Sequence, residues 1–184
     1  MGIKYSKLSK IVSHALRHEP HLYSLSLDKD GWVEISVLLK CLGEKDPSFH
    51  NLSIDDLENM IAFSTKKRHE IQGERIRARY GHSLENKIIY PKVIPPDVLF
   101  HGTTREAYDK IKLNSLEPMN RQYVHLSINQ ENANKVGLRK TKSPVILRIK
   151  AKEAYSNGIN FYHGGEEIYL SDSIPAIHIE TLDV

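Results

Sequence analysis

A fixed cation and a titratable ring stand side by side at Arg17 and His18. A planar guanidinium can hold two phosphate oxygens at once, and an imidazole can move a proton near neutral pH. Together they could grip a phosphate monoester and assist its transfer. A structural interpretation stays open, because the helix dipole favours basic residues in a last helical turn. His14 could share a helix face with His18, but no third ligand is suggested, and the sequence predicts no metal site.

More positive charge follows in residues 66–79. Polar and apolar residues alternate on both sides of Gly73, which predicts a β-hairpin with its turn at that glycine. Alternate strand residues share a face, so the basic side chains could form a phosphate-binding surface. A basic strand pair that is merely solvated would show the same pattern. The candidates in and after the hairpin are Lys67, Arg68, Arg77, His82 and Ser83.

Two further histidines come at the ends of short apolar runs in the second half of the chain. His101-Gly102-Thr103 ends one run, and His125-Leu126-Ser127 ends another. Side chains at strand ends are well placed to line a cleft, and a glycine permits close approach of a ligand to the backbone. Either tripeptide alone is weak evidence, since a lone histidine is more often structural.

The elements that must position these residues divide at a proline-rich segment, residues 90–96. Before it, apolar spacing predicts a helix from about Tyr5 to His18, a strand at Trp32, a second helix from Ile35, and a third capped by Ser53 with Asp56. Three helices and a hairpin are the plan of a winged helix. After it, β-prone runs near residues 98–101, 123–126, 145–149, 167–170 and 176–179 alternate with helical stretches. We therefore expect an α+β protein with lobes at 1–92 and 93–184.

Composition restricts the class of protein only loosely. The 184 residues carry a formal charge of +3, which permits a polyanionic partner without requiring one. Cys41 is the single cysteine, which excludes an internal disulfide and favours a reducing, cytoplasmic compartment. No apolar run approaches the roughly 20 residues that span a bilayer, so we expect no membrane partner. Without heptads or a long apolar edge, a monomer is the default.

Taken in order, the short motifs resemble the RNA 2′-phosphotransferase family, the KptA-type enzymes related to the tRNA-splicing phosphotransferase. The resemblance covers nearly the whole chain. Many short blocks in a fixed order are far more specific than any one of them. The blocks are Leu16-Arg17-His18, Asp30-Gly31-Trp32, Lys67-Arg68, Ile76-Arg77-Ala78, Gly81-His82-Ser83, His101-Gly102-Thr103, Val124-His125-Leu126-Ser127, Val136-Gly137 with Arg139, and Ser143-Pro144-Val145.

The resemblance implies a winged-helix lobe that holds RNA and a C-terminal lobe of the ADP-ribosyltransferase fold that holds NAD. It implies that the RNA 2′-phosphate attacks the nicotinamide-bearing ribose carbon, and that the ribose 2″-hydroxyl then attacks phosphorus. The products would be 2′-hydroxyl RNA, nicotinamide and ADP-ribose 1″,2″-cyclic phosphate, with no metal. The catalytic set carried over by position is Arg17, His18, Arg68 and Arg139. The residues expected to contact NAD are His101, Gly102, Thr103, His125, Ser127 and Ile168.

Ile168 stands where many protein-modifying relatives of this fold carry a glutamate. An aliphatic residue there would leave the ribose 2″-hydroxyl free to act as nucleophile. Glu166 and Glu167 lie beside it, and a register shift of one residue would bring Glu167 to that position. Tyr80 stands where family members usually have glutamine, so a contact to phosphate or NAD could differ.

Two alternatives remain. The first is an ADP-ribosyltransferase whose product, an ADP-ribosylated nucleic acid or protein, is stable, in which case Glu167 would matter. The second is an RNA-binding module that senses NAD without turnover. It is disfavoured because a binder would not need the arginines, His18 and both strand-end histidines together. Mutation of Arg68 separates these classes, since a binder loses only an increment of affinity.

Overall fold

A computed structural model describes residues 4–182, which divide into two compact units between Ile89 and Tyr90. Helices and strands are mixed in both units, which confirms the α+β class. Within the described residues, no helix combines the length and apolar character needed to cross a membrane.

Helices dominate the first unit, and a small antiparallel sheet completes it. In the sheet β3 lies between β1 and β2, so the hairpin β2–β3 is joined to the strand that precedes α2. The elements in chain order are α1 (Tyr5–Arg17), β1 (Trp32–Glu34), α2 (Ile35–Lys45), α3 (Ile54–Ala62), β2 (His69–Gln72) and β3 (Arg75–Ala78), with short 3-10 helices at Pro20–Tyr23 and Pro47–Phe49.

Apolar spacing explains how these elements pack. On α1, Leu8, Val12 and Leu16 recur every four residues and are fully buried in the core of the unit. The start of α3 is fixed by Ser53, whose hydroxyl accepts a hydrogen bond from the Asp56 amide while the Asp56 carboxylate accepts from the Ser53 amide. The predicted capping box is confirmed.

The second unit is a six-stranded antiparallel sheet of order β11-β7-β4-β6-β9-β8, with β5 and β10 paired separately. The elements are β4 (Leu99–Thr103), α4 (Arg105–Ile111), β5 (Ser115–Leu116), β6 (Val124–Ser127), α5 (Gln130–Gly137), β7 (Val145–Ile149), α6 (Ala151–Ser156), β8 (Phe161–Gly165), β9 (Ile168–Ser171), β10 (Ile174–Pro175) and β11 (Ile179–Thr181).

The strand predicted at residues 176–179 is wrong in its position. Ala176–His178 form a 3-10 turn, and β11 begins only at Ile179. Pro175 precedes the turn, and the buried His178 ring bonds the carboxylate of Glu153 on α6, 3.0 Å away. A tertiary contact therefore overrides the β-prone composition of these residues.

Candidate functional site

In the first unit, Arg17 lies at the end of α1 with a nearly buried side chain, 8% exposed. Its Nη2 atom donates a hydrogen bond to the backbone oxygen of Arg68, 3.1 Å away. The same oxygen accepts from the backbone amide of Arg79. The first helix and the segment that leads into the hairpin are therefore joined through one carbonyl, and two candidate arginines lie side by side.

Residues 80–83 wrap around the end of α1. The amide of Ser83 donates to the backbone oxygen of Arg17 at 2.9 Å, and the Ser83 hydroxyl lies 2.8 Å from Nδ1 of His18. Gly81 has a φ of +89°, and a Cβ there would lie 3.4 Å from the Arg17 guanidinium. Arg17, His18, Arg68 and Ser83 are thus brought together.

Tyr80 also belongs to this cluster, because its ring centroid lies 5.2 Å from the Arg17 guanidinium carbon. A cation over an aromatic face is attracted by the ring quadrupole, and the ring restricts how the guanidinium can turn. The residue that departs from the family pattern therefore contacts a candidate catalytic arginine directly.

Two buried histidines lie around the same charges. Burial lowers the pKa of His69 to about 3, and the charges of Arg17 and Arg68 add to this effect. The pKa of His82 is likewise lowered to about 3, mainly by burial and further by the charges of Arg17, His18 and Arg77. Both rings are neutral at pH 7, so they lie beside the arginines without adding positive charge.

Lys67 and Arg77 contact other parts of the first unit. The Lys67 ammonium donates to the carbonyls of Ile61 and Ala62 and so satisfies the end of α3. Arg77 pairs with Glu70 at 2.5 Å and lies over the ring of Trp32 at 4.5 Å. In these contacts both residues stabilise the unit itself.

A groove of about 610 Å³ opens beside Arg17, His18 and Arg68. One wall is a polar stripe of α1 that includes Ser6, Ser9, Lys10 and Ser13, and the other comes from the end of α3 and the segment after it. The stripe repeats every three or four residues, which the sequence does show. The apolar face of this helix, from which its packing was predicted, gives no sign of the groove on the opposite side.

In the second unit, β4 and β6 separate after a single pair. Within the described residues, Phe100 and Ser127 are the one pair that joins these strands, although β4 pairs with β7 along its whole length. Beyond that pair, Nδ1 of His101 lies 2.9 Å from the backbone oxygen of His125. The predicted motifs His101-Gly102-Thr103 and His125-Leu126-Ser127 therefore face each other across an opening in the sheet.

The bond between His101 and His125 fixes a tautomer. A backbone oxygen can only accept, so Nδ1 of His101 carries the proton and Nε2 is an acceptor. Burial lowers the pKa of His101, the bond to the His125 carbonyl opposes that shift, and the charges of Lys140 and Arg121 lower the pKa further. A neutral acceptor with two cations nearby suits a ligand that carries both hydroxyl and phosphate groups.

Ile168 is the first residue of β9 and pairs with Ser127. Directly opposed residues of an antiparallel pair share a sheet face, and His125 shares it as well, two residues from Ser127. Glu167 lies in the preceding turn, where its carboxylate accepts from the Asn132 amide at 2.8 Å. In this register Ile168, and not Glu167, opposes Ser127.

Gly102 and Gly137 mark a close approach of α5 to the sheet. A Cβ on Gly102 would overlap the backbone oxygen of Ala133, and one on Gly137 would lie 2.5 Å from Cβ of Pro144. The sequence suggested that Gly102 admits a ligand, whereas its missing side chain makes room for a helix. Arg139 follows at the exposed end of α5, where its amide bonds the carbonyl of Val136.

Among residues 4–182, no three histidine, cysteine or acidic side chains cluster as a metal site would require. The features that stand out are an arginine cluster under neutral histidines in one unit and a divided antiparallel sheet in the other. They define a two-unit α+β protein with a cluster of arginines and neutral histidines in its helical unit.

Comparison with known proteins gives the family. The family described as "RNA 2′-phosphotransferase, Tpt1 / KptA family" matches residues 4–173. A protein of Acetivibrio thermocellus named probable RNA 2′-phosphotransferase is 49% identical over 177 residues, which cover 96% of this chain and 97% of the relative. Proteins of the same name from Bacillus thuringiensis and Pectobacterium atrosepticum are 45% and 44% identical, with 92% and 97% of their lengths covered and 94% and 95% of this chain. The chain belongs to the RNA 2′-phosphotransferase family.

Proposed function

We propose that this protein removes a 2′-phosphate from RNA and transfers it to the ADP-ribose part of NAD. The observation that carries the proposal is the cluster of Arg17, Arg68 and His18 in a member of this family. Guanidinium groups bind phosphate oxygens in pairs and keep their charge at any working pH. Because the buried His69 and His82 are neutral, the arginines supply the positive charge of this cluster.

We interpret the first unit as a winged helix that holds the RNA. Its element order of helix, strand, two helices and a hairpin, with β1 paired to the last strand, supports this interpretation. In this arrangement the hairpin would be the wing. The end of α1, held by residues 80–83, would then present Arg17 and His18 to the phosphate.

The second unit would be a lobe of the ADP-ribosyltransferase fold, and NAD would bind in the opening between β4 and β6. The residues there fit this co-substrate. Nε2 of His101 can accept from a ribose hydroxyl, and Arg121 and Lys140 supply charge for its phosphates. Gly102 and Thr103 follow the pair between Phe100 and Ser127, so the edge of β4 that faces β6 could offer backbone donors and acceptors to a planar amide.

In the proposed reaction, an oxygen of the RNA 2′-phosphate forms a bond to the ribose carbon that bears nicotinamide, and nicotinamide leaves. The neighbouring 2″-hydroxyl then attacks phosphorus, the RNA 2′-oxygen leaves with a proton, and ADP-ribose 1″,2″-cyclic phosphate is released. Arg17 and Arg68 would hold the phosphate and stabilise its charge. His18, oriented by Ser83, would move the proton in the second step. Arg139 completes the catalytic set on the family resemblance alone.

Ile168 would keep the second step open. A glutamate at this position could accept a hydrogen bond from the 2″-hydroxyl and hold it away from phosphorus. An isoleucine cannot, and its place opposite Ser127 puts it beside the proposed NAD contacts. The Glu167 carboxylate is bonded to the Asn132 side chain, which supports Ile168 as the residue at the glutamate position.

The test is incubation with an oligoribonucleotide that carries one internal 2′-phosphate, with and without NAD, followed by mass analysis of all products. The proposal expects NAD-dependent loss of phosphate and formation of the cyclic phosphate, with activity lost in Arg68→Ala and kept in Arg105→Ala, an exposed arginine of α4. His18→Ala should accumulate ADP-ribosylated RNA. If the wild-type protein itself stops at ADP-ribosylated RNA, the alternative transferase is correct. No reaction with NAD would reject both.

A further inference from the structure

The groove along α1 extends well beyond the residues assigned to the 2′-phosphate. From Tyr5 to Arg17 the helix rises about 18 Å at roughly 1.5 Å per residue. A phosphate monoester fills only the end nearest Arg17. A stacked single strand advances by roughly 3.4 Å per nucleotide, so the remainder has room for several nucleotides.

Aromatic rings lie at the far end of the groove. Tyr5 and Phe63 are stacked, with ring centroids 5.8 Å apart and planes 15° from parallel. Phe63 is 74% exposed, although it is a large apolar side chain and lines the groove. A ring that is held flat by another ring and exposed to solvent is an available surface for a nucleobase.

Between the two ends, the groove is lined by polar residues, most of them with short side chains. Ser6, Ser9 and Ser13 have short side chains, which leave a trench along the helix. Ser6 and Ser9 offer hydroxyl groups to sugars or phosphates, whereas the Ser13 hydroxyl lies 3.1 Å from Nε2 of His69. Lys10 is exposed in the same stripe and adds a positive charge midway. A cationic, hydroxyl-lined trench that leads to an aromatic ring is the combination used by proteins that bind single-stranded nucleic acid.

We propose that this groove is a subsite for the single-stranded RNA that flanks the 2′-phosphate, with Lys10 contacting a backbone phosphate and one base stacked on Phe63. The inference rests on the proposed function, because the phosphate bound by Arg17 and Arg68 sets where the strand enters. It assigns Phe63 and Lys10 to substrate length and binding, and not to the chemical steps.

The test compares two probes that both carry one 2′-phosphate: a dinucleotide and an eight-nucleotide strand with the phosphate at its centre. Binding is measured by fluorescence anisotropy without NAD. Phe63→Ala should weaken binding of the longer strand about tenfold, in the range expected for one lost base–aromatic stack, and leave the dinucleotide unchanged. Val37→Ala is the matched control, since Val37 is an exposed apolar residue of α2 outside the groove.

Lys10→Gln should reduce the salt dependence of binding to the longer strand by about one phosphate contact, whereas Lys29→Gln, outside the groove, should not. Equal affinities of Phe63→Ala and Val37→Ala for the longer strand would overturn the proposal, as would an unchanged salt slope in Lys10→Gln. Because binding is measured without turnover, the two proposals fail separately. If the protein turns over substrate but Phe63→Ala binds the longer strand as well as Val37→Ala does, the groove proposal is rejected and the reaction stands. If Phe63→Ala binds more weakly but no turnover occurs, the proposed reaction is rejected.

Discussion

The Arg17 guanidinium donates a hydrogen bond to the backbone oxygen of Arg68, 51 positions along the chain and 3.1 Å away. The contact fixes one arginine side chain against the main chain of the other. Because the guanidinium also lies against Tyr80, both its orientation and its position are restricted. A charged group that is already ordered before its ligand arrives loses less entropy on binding.

This contact predicts that Arg17→Lys is a severe change although the charge is kept. Lysine lacks the planar fork, so it cannot bond the Arg68 carbonyl and hold two phosphate oxygens together. We expect kcat to fall by about 100-fold or more, as when a donor to a developing charge is removed. Steady-state kinetics check this, with Arg105→Lys as the control. Near-normal kcat in Arg17→Lys would contradict a bidentate role.

The buried histidines predict a loss of stability in mild acid. The pKa values of His69 and His82 are about 3 in the folded protein and near 6.5 when unfolded, so the unfolded chain binds protons first as pH falls. Their contribution is complete above about pH 6.5 and is lost progressively toward pH 3. The cost is about 1.4 kcal/mol per histidine for each pH unit, hence on the order of 4 kcal/mol for both at pH 5.

Urea unfolding between pH 5 and 6.5 checks this prediction, because carboxylates with ordinary pKa values stay ionised there. His69→Gln and His82→Gln should each reduce the pH dependence by about 1.4 kcal/mol per pH unit, even if they also lower stability at pH 7. His21→Gln, at an exposed position, is the control. A free energy of unfolding that does not change from pH 6.5 to 5 would show that these rings are protonated in the folded state.

The packing of α5 against the sheet predicts that Gly102→Ala is strongly destabilising. The new methyl group would overlap the Ala133 carbonyl, and backbone atoms cannot move aside as a side-chain end can. We expect a loss above about 3 kcal/mol, beyond the usual cost of overpacking. Gly158→Ala is the matched control in the same unit: its φ is +92° but nothing lies within 4 Å, so about 1–2 kcal/mol of strain is expected. Thermal unfolding measures both, and equal losses would contradict a steric cause.

Ile168→Glu should separate the two chemical steps. The new carboxylate could bond the ribose 2″-hydroxyl, so we expect ADP-ribosylated RNA to accumulate and release of the cyclic phosphate to fall by about tenfold or more, the size of one lost charge-assisted contact. Ile168→Leu keeps an aliphatic side chain and is the control. Product analysis by mass over time measures both species. Turnover equal to that of Ile168→Leu would remove Ile168 from the proposed role.

Local patterns predicted the elements better than the contacts between them. The capping box at Ser53 and the end of α1 at Arg17 depend on neighbouring residues, and both could be predicted from sequence. The 3-10 turn at Ala176 could not, because it depends on a bond from His178 to Glu153, 25 positions away. Long-range partners decide such segments, and a single sequence does not display them.

The candidate site divides in the same way. The resemblance identified Arg17, Arg68 and His101 as candidate site residues. It did not predict which residues they contact. It did not reveal that Lys67 caps α3 or that Gly102 accommodates a helix. Both facts depend on where another element's backbone lies. The spacing of the serines on α1 shows the polar stripe in the sequence. That the stripe lines a groove depends on the residues at the end of α3 that lie opposite, which the sequence does not show.

The single pair between Phe100 and Ser127 also affects how the second unit holds together. On either side of it lie three paired strands, so this pair and the bond from His101 to the His125 carbonyl join two half-sheets. A molecule bound in the opening beyond this pair would contact both halves and act as a clasp between them. Its binding would then stabilise the folded second unit, and the free energy of unfolding of that unit would rise with the concentration of the molecule.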